Sequence, residues 1–292
     1  MRQTKLMSIA AVTLVLATGA CGKKKSKQAP GPGSGSAAVG SAPGSGSGSS
    51  AGGTEPAPPP VLRSVSPQEA VDSPERTAED KALDAGRRPV ELLTFLGVGR
   101  GMKVAELMAG GGYTAELLAR VVGPEGEVYA QNNKALLDMF AEKPWSERLA
   151  RLKYDWLDRV DRELSDPLPP EAKDLDLVVM NLTYHDAVAA GVDRMAMNSG
   201  VWKSLRSGGA YAIIDHAAKP GSGEAAAKEL HRIDPKLVED EVVKAGFILD
   251  RTSNMYENKA DTHDWNAAPN AAGDKRGTSD RFILVFRKQT GQ

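Results

Sequence analysis

The chain has 292 residues, 41% of them hydrophobic and 26% charged, and its 37 Lys/Arg against 38 Asp/Glu leave a formal charge of −1. Six of the basic residues and one acidic residue fall in residues 1–60, so residues 61–292 carry about −6, a mildly acidic balance without the basic stripe of a nucleic-acid binder. The one cysteine, Cys21, lies far upstream of the folded part, which excludes a disulfide framework, a thiol nucleophile and a thiolate metal centre there.

Residues 1–20 start basic (Arg2, Lys5), continue apolar from Leu6 to Leu16 and end in small residues before Cys21, the layout of an export signal. The apolar run is shorter than the ~20 residues of a membrane-spanning helix, so a cleaved segment is expected. The stretch "LATGAC" resembles the lipobox of bacterial lipoproteins. That resemblance implies a lipid on Cys21 and an exported domain anchored to a bacterial membrane, facing the periplasm. Lys23, Lys24, Lys25 and Lys27 follow, and residues 29–60 are nearly all Gly, Ser, Ala and Pro. Such a segment buries too little to offset its ordering entropy. Residues 21–60 are therefore expected to be a disordered tether with a reach on the order of 35 Å, leaving residues 61–292 as the folded domain.

Within that domain helical and strand-like stretches alternate. "SPERTAEDKALDAGRR" (residues 73–88) predicts a helix capped by Ser73, and "RPVELLTFLGV" a second one. "KVAEL" (103–107) is a short strand, "YTAELLARVV" a helix stopped by "GPEG", and "EVYAQ" (127–131) another strand. Residues 134–152 are helical in pattern, with Pro144 expected to break or kink them. "DLDLVVMNL" (174–182) reads as the most buried strand, residues 193–209 as a helix and "AYAIIDH" (210–216) as the next strand. Residues 225–246 supply one or two helices broken near Pro235, and residues 247–255 and 279–288 close the chain as strands. Strands alternating with helices imply a parallel sheet covered on both faces, and two final strands without a helix between them imply an antiparallel finish.

Between the first strand and its helix stands "ELMAGGGY", in which three glycines let backbone approach a ligand beyond the carboxyl ends of the strands. The spacing does not match the G-x-G-x-x-G of dinucleotide enzymes. It resembles instead the first motif of class I S-adenosylmethionine-dependent methyltransferases, an acidic residue followed by G-x-G-x-G. Glu106 stands at the acidic position, Gly110 and Gly112 at the second and third glycines, and Met108 where the first would be. "DLDLVVMNLTYHD" and "LRSGGAYAIIDH" resemble the strand-four motif and the turn into strand five. "GGGYTAE", "DH" (Asp215, His216) and "SDR" (Ser279 to Arg281) resemble a group of methyltransferases often preceded by export signals. The resemblance covers roughly residues 88–288. It implies a Rossmann-like, mostly parallel seven-stranded α/β sheet with helices on both faces and an antiparallel last strand. It also implies S-adenosylmethionine as cofactor and a small molecule or a protein as methyl acceptor.

Residue by residue, the resemblance places Glu106 and the turn of Ala109, Gly110, Gly111, Gly112 and Tyr113 against the amino-acid end of the cofactor. Gln131 and Asn132 fall where an acidic residue usually meets the ribose, Asp155 where the adenine amino group is received, and Asn181 among the cofactor contacts and, with Tyr184, among the catalytic candidates. Asn181 and Tyr184 are the first and last letters of an N-P-P-Y-like loop that here lacks both prolines. His216 and His185, each beside an aspartate (Asp215, Asp186), are the candidate bases; equally, they could only cap strand ends.

Two other readings stand beside this one. The domain could keep the fold without turnover, as a ligand-binding or scaffold lipoprotein; Met108 and the amides after strand two favour that. Or His185, His216, His231 and His263 with neighbouring aspartates could gather round a metal. Their spacing lacks the i, i+4 pairing of a helix-borne site, so no metal is expected.

Overall fold

In the computed structural model, which describes residues 63–289, seven strands form one sheet. They are β1 (Lys103–Leu107), β2 (Glu127–Asn132), β3 (Leu157–Asp161), β4 (Leu175–Asn181), β5 (Leu205–His216), β6 (Phe247–Ser253) and β7 (Arg281–Lys288). Their spatial order is β3-β2-β1-β4-β5-β7-β6. The β2–β3, β1–β2, β1–β4 and β4–β5 pairs are parallel, while β7 runs antiparallel to both β5 and β6. This is the mostly parallel sheet with one antiparallel last strand that the sequence implied. The described residues fall within a compact unit spanning Pro58–Gln292. The expected export signal, the Cys21 lipidation site and the tether of residues 21–60 lie outside the described residues.

The central strands are buried on both sides, so their side chains alternate between two cores. Val104, Val128, Leu177, Val179 and Ala212 face a core closed by α1 (Pro67–Asp72), α3 (Pro89–Leu96), α4 (Tyr113–Val122) and α6 (Glu142–Leu152). Ala105, Leu107, Val178, Met180 and Tyr211 face the other, closed by α7 (Tyr184–Ala189), α8 (Arg194–Ser204) and α10 (Pro235–Lys244). Three further helices are α2 (Ala78–Arg87), α5 (Lys134–Leu136) and α9 (Ala225–Leu230). No helix of the described residues is long and apolar enough to cross a membrane.

Several boundaries differ from those expected. The helix over residues 73–88 begins only at Ala78, because Thr77 rather than Ser73 accepts from the backbone of its first turn; Ser73 instead ends α1, a helix that Ser66 starts with a full capping box. The helix expected over residues 193–209 stops at Ser204, and a register shift lets Leu205 join β4 already as strand. Strand β3 has no apolar run in sequence, since Asp158 and Arg159 separate Leu157 from Val160 and Asp161 follows it; pairing with β2 makes it a strand. Pro144 does not break its helix. The chain runs from α5 (Lys134–Leu136) through a widened π turn (Leu137–Ala141) into α6, and that turn absorbs the missing N–H and the crowding of the ring on the carbonyl four residues back. Continuity across Pro144 delivers the next residue, wholly buried Trp145, against the glycine turn.

Candidate functional site at the carboxyl edge of the sheet

The turn after β1 is built from left-handed residues: Met108, Gly110 and Gly112 have φ of +53°, +57° and +82°. Met108 thus adopts the backbone that a glycine would take in the resembled motif, and it is held there. Its N–H donates to Gln131 Oε1 at 3.0 Å, and Gln131 Nε2 donates to the Arg162 carbonyl at 2.5 Å. Asn132 clamps Gly110 from both sides, accepting from its N–H at 2.8 Å and donating to its carbonyl at 3.0 Å. Arg148 Nε donates to the Gly111 carbonyl at 2.5 Å. Gln131 and Asn132, expected to face a ribose, are wholly buried with both amides committed to this turn. The expectation that either presents a free amide to a ligand is corrected accordingly. Asn133 caps α5.

Glycine has different reasons at two positions. A Cβ on Gly112 would lie 2.2 Å from the Trp145 ring, so packing requires the bare backbone; a Cβ on Gly110 would meet nothing within 4 Å, so that face of the turn is open.

Beside the turn, Glu106 is 3% exposed and its Oε2 has no hydrogen-bond partner. Burial pushes its carboxyl up to about 7, against the pull of the Thr114 hydroxyl, the Arg87 charge and the Ala115 N–H. Asn181 Nδ2 donates to Thr114 Oγ1 at 3.2 Å, and Arg87, Tyr113, Thr114 and Asn181 line one small pocket with Leu92 and Leu93. Arg87 lies 4.3 Å over the Tyr113 ring, pairs with no carboxylate among the described residues, and has its pKa lowered by burial. Sequence reasoning missed Arg87 and Thr114: nothing local marks the last residue of α2 as a neighbour of Glu106. Asp155 is displaced from its expected place. It precedes β3 and is exposed, so it sits at the amino edge of a parallel strand, opposite the edge where β1 and β4 end.

The ends of β4 and β5 carry the histidines. Tyr184, expected beside the reacting centre, turns instead into the core that holds α8 and α10. It is wholly buried there, donating to Glu241 Oε2 at 2.7 Å and accepting from Asn198 Nδ2 at 3.2 Å. The next residue, His185, faces the edge. Its Nδ1 lies 2.6 Å from Asp215 Oδ1, and Asp215 also accepts the backbone N–H of His185 and of His216 at 2.9 and 2.7 Å. Burial alone would raise the Asp215 carboxyl, but His185 and His216 hold it below the usual range; the same pairing raises His185 despite its burial. Asp215 is therefore an ionised acceptor that takes the Nδ1 proton of His185; Nε2 then holds either a lone pair or, because the pairing favours the charged ring, a second proton. That Nε2 is buried and without a hydrogen-bond partner.

His216 has a different role from the base expected of it. Its Nδ1 lies 2.6 Å from Ser279 Oγ, which already accepts from Arg281 Nε at 3.2 Å. Arg281 offers no acceptor, so the hydroxyl proton goes to His216 Nδ1 and the ring carries its own proton on Nε2. Burial, with the charges of His185, Arg281 and Arg232, pushes the ring down to about 3 and keeps it neutral. His216 is thus assigned as a hydrogen-bond donor, held by the "SDR" segment. His263 pairs with Asp280 at 3.0 Å, whereas His231 stacks edge-on against His185, with ring centroids 4.2 Å apart.

No protein-family model matches the chain, and no curated protein does. Solved structures with this fold include a SAM-dependent methyltransferase from Aquifex aeolicus, 17% identical, covering 72% of this chain and 97% of its own, at a TM-score of 0.50. The proposed methyltransferase solved with the Haloferax volcanii activator Trm112 is 16% identical, covers 78% and 99%, and scores 0.51. A proposed sarcosine dimethylglycine methyltransferase from Galdieria sulphuraria is 18% identical, covers 76% and 91%, and scores 0.52. At these identities the likeness shows the fold, the Rossmann-like class I methyltransferase sheet.

Proposed function

We propose that the domain binds S-adenosylmethionine at the turn after β1 and transfers its methyl group to an acceptor held at the carboxyl edge of β4 and β5. The observation that carries this reading is the unpartnered, buried Glu106 Oε2 beside the open face of Gly110. In the class I sheet order that pair lies where a ligand's ammonium needs a carboxylate and its backbone-sized end needs room. Arg87 and the N–H groups of the first turn of α4 offer the complement for a carboxylate. Bound there, the cofactor would supply an electrophilic methyl group; the chain's contribution is position, because an in-line displacement depends on holding the two partners in register. His216 Nε2–H can orient an acceptor oxygen or nitrogen, and the acceptor belongs to the small-molecule or protein classes. Export and lipid anchoring through Cys21 belong to the same proposal and rest on residues 1–60. One observation favours the second reading, a fold kept without turnover: the amides of Gln131 and Asn132 are already committed, so no side chain at the end of β2 is left for a ribose.

Calorimetric titration of the full chain with S-adenosylmethionine and with its demethylated product tests this. An ammonium arriving at Glu106 favours the ionised carboxylate, so binding near pH 7 should release a proton and give a heat that depends on the buffer's ionisation enthalpy. Ligand at a hundred times its dissociation constant should add ~2.7 kcal/mol of stability. No heat and no thermal shift with either ligand would remove the methyl-transfer reading and leave the second.

The same carboxyl makes stability pH-dependent. Its folded pKa of about 7 is raised above the unfolded value, so the protonated form costs nothing in acid and the penalty grows as pH climbs from ~4.5 to ~7. Relative to the parent, Glu106→Gln is expected to be more stable at pH 8 than at pH 4.5 by a difference on the order of 3 kcal/mol. Denaturant melts of both proteins at the two pH values measure it.

A further inference from the structure

His185, Asp186 and His231 converge without a hydrogen bond on any of the converging atoms. Asp186 Oδ1 lies 3.4 Å from His185 Nε2 and 3.5 Å from His231 Nδ1, and all three donor atoms lie within 4.8 Å of one another. His185 Nε2 is the decisive atom: 1% of its side chain is exposed, and nothing donates to it. A buried ring nitrogen facing a carboxylate oxygen at 3.4 Å without a hydrogen bond calls for positive charge between them, a proton on the ring or a metal ion, and a second imidazole on the same oxygen favours the metal ion.

We infer that these three side chains form a site for one divalent d-block cation, zinc being the ion that the donors and their spacing fit. Two imidazoles and a carboxylate suit zinc. A tetrahedral ion with bonds of ~2.0–2.1 Å separates its ligands by roughly 3.4 Å. Two of the three edges already have that length, and a small swing of the half-exposed His231 ring closes the third.

The surroundings are those of a built site. Asp215, wholly buried, takes the other ring nitrogen of His185 and fixes its tautomer, as carboxylates do behind metal-bound histidines. His231 is fixed from its own side. It adopts φ +55° at the end of α9, a strained conformation for a non-glycine residue. Its neighbour Arg232, wholly buried, donates to Asp261 and to the carbonyls of Ala217 and Trp265, while Ile233 N–H bonds the His216 carbonyl at 2.9 Å. The segment after α9 is thereby laid alongside the end of β5, with His231 over His185. Three protein ligands leave a fourth position open, which is the pattern of a reactive rather than a structural site. The site stands on these contacts whether or not the domain transfers methyl groups.

The test uses the full chain without a histidine tag, stripped with chelator, in a Cys21→Ser background that removes the only thiol. Zinc chloride is titrated by calorimetry against a competing chromophoric chelator. Cobalt(II) is then added to read the visible absorption of a tetrahedral site. One equivalent of zinc and a tetrahedral cobalt spectrum are expected. His231→Ala and Asp186→Asn should each weaken zinc on the order of 100-fold or more, and Asp215→Asn by about 10–100-fold. His263→Ala, which lies on Asp280, should leave the affinity unchanged. Circular dichroism melts check folding. Should Asp186→Asn fail to fold, the half-exposed His231→Ala decides. No zinc binding by the parent, or equal affinity in His231→Ala, would overturn the site.

Discussion

Gly112→Ala is expected to destabilise the protein by about 2–5 kcal/mol, a large share of the ~5–15 kcal/mol that holds a domain together. Two costs combine. The residue sits at φ +82°, where an L side chain adds roughly 1–2 kcal/mol, and the new methyl would lie 2.2 Å from the ring of Trp145 and 2.9 Å from Arg148 Cδ. Trp145 is wholly buried at the start of α6 and has no space to withdraw. Gly110→Ala, two residues away, should behave in the opposite way. Its methyl meets nothing, so only the left-handed backbone costs, about 1 kcal/mol, while ligand binding at the turn should fall steeply because the methyl occupies the open face. Denaturant midpoints and calorimetry of the two variants measure the contrast. A Gly112→Ala protein as stable as the parent would show that Trp145 does not fix the turn.

The glycine turn was legible in sequence because only glycine supplies so much left-handed backbone in so few residues, and because a strand and a helix flank it. The approach of "DH" and "SDR" was legible as a pattern, but its physics was not: only pairing of β5 with β7 brings Ser279 to His216 and makes that ring a donor. Asp155 was misplaced for a traceable reason. Strand β3 carries charges within its short run and gives no hydrophobic signal, so nothing in the sequence places Asp155 before a strand rather than after one. The inward turn of Tyr184 depends on Glu241 of α10 and Asn198 of α8, both distant in sequence. Four histidines with neighbouring aspartates were visible in sequence as candidate ligands, but which of them meet was not, for the same reason. His231 reaches His185 only because Arg232 is tied to Asp261, and no spacing rule encodes a staple between two loops.

The second large effect is expected from Glu116→Ala, at about 3–5 kcal/mol, the range seen when one partner of a buried charge cluster is removed. Glu116 is 1% exposed and receives Arg148, Arg120 at 2.9 Å and Arg151 at 2.5 Å; Arg148 is shared with Asp80 at 2.6 Å. One carboxylate thus answers three guanidinium groups that α4 and α6 bring together; its loss leaves Arg148 to Asp80 and Arg120 to Glu75, and takes from the partly exposed Arg151 its carboxylate. The consequence reaches the site, because the same Arg148 holds the Gly111 carbonyl and so the shape of the turn. Burial would raise the Glu116 carboxyl, but Arg151, Arg148 and Arg120 outweigh it and hold the pKa below the usual value. An acid so lowered contributes stability above its unfolded pKa of ~4.3, and that contribution is lost as pH falls toward the folded value. Glu116→Gln, which keeps the shape and removes the charge, should therefore trail the parent most at pH 7, with the gap narrowing below pH ~4. If urea melts showed a gap independent of pH, the stabilisation would come from the packing of the side chain and not from its charge. The turn would then depend on Asp80 alone to keep Arg148 in place.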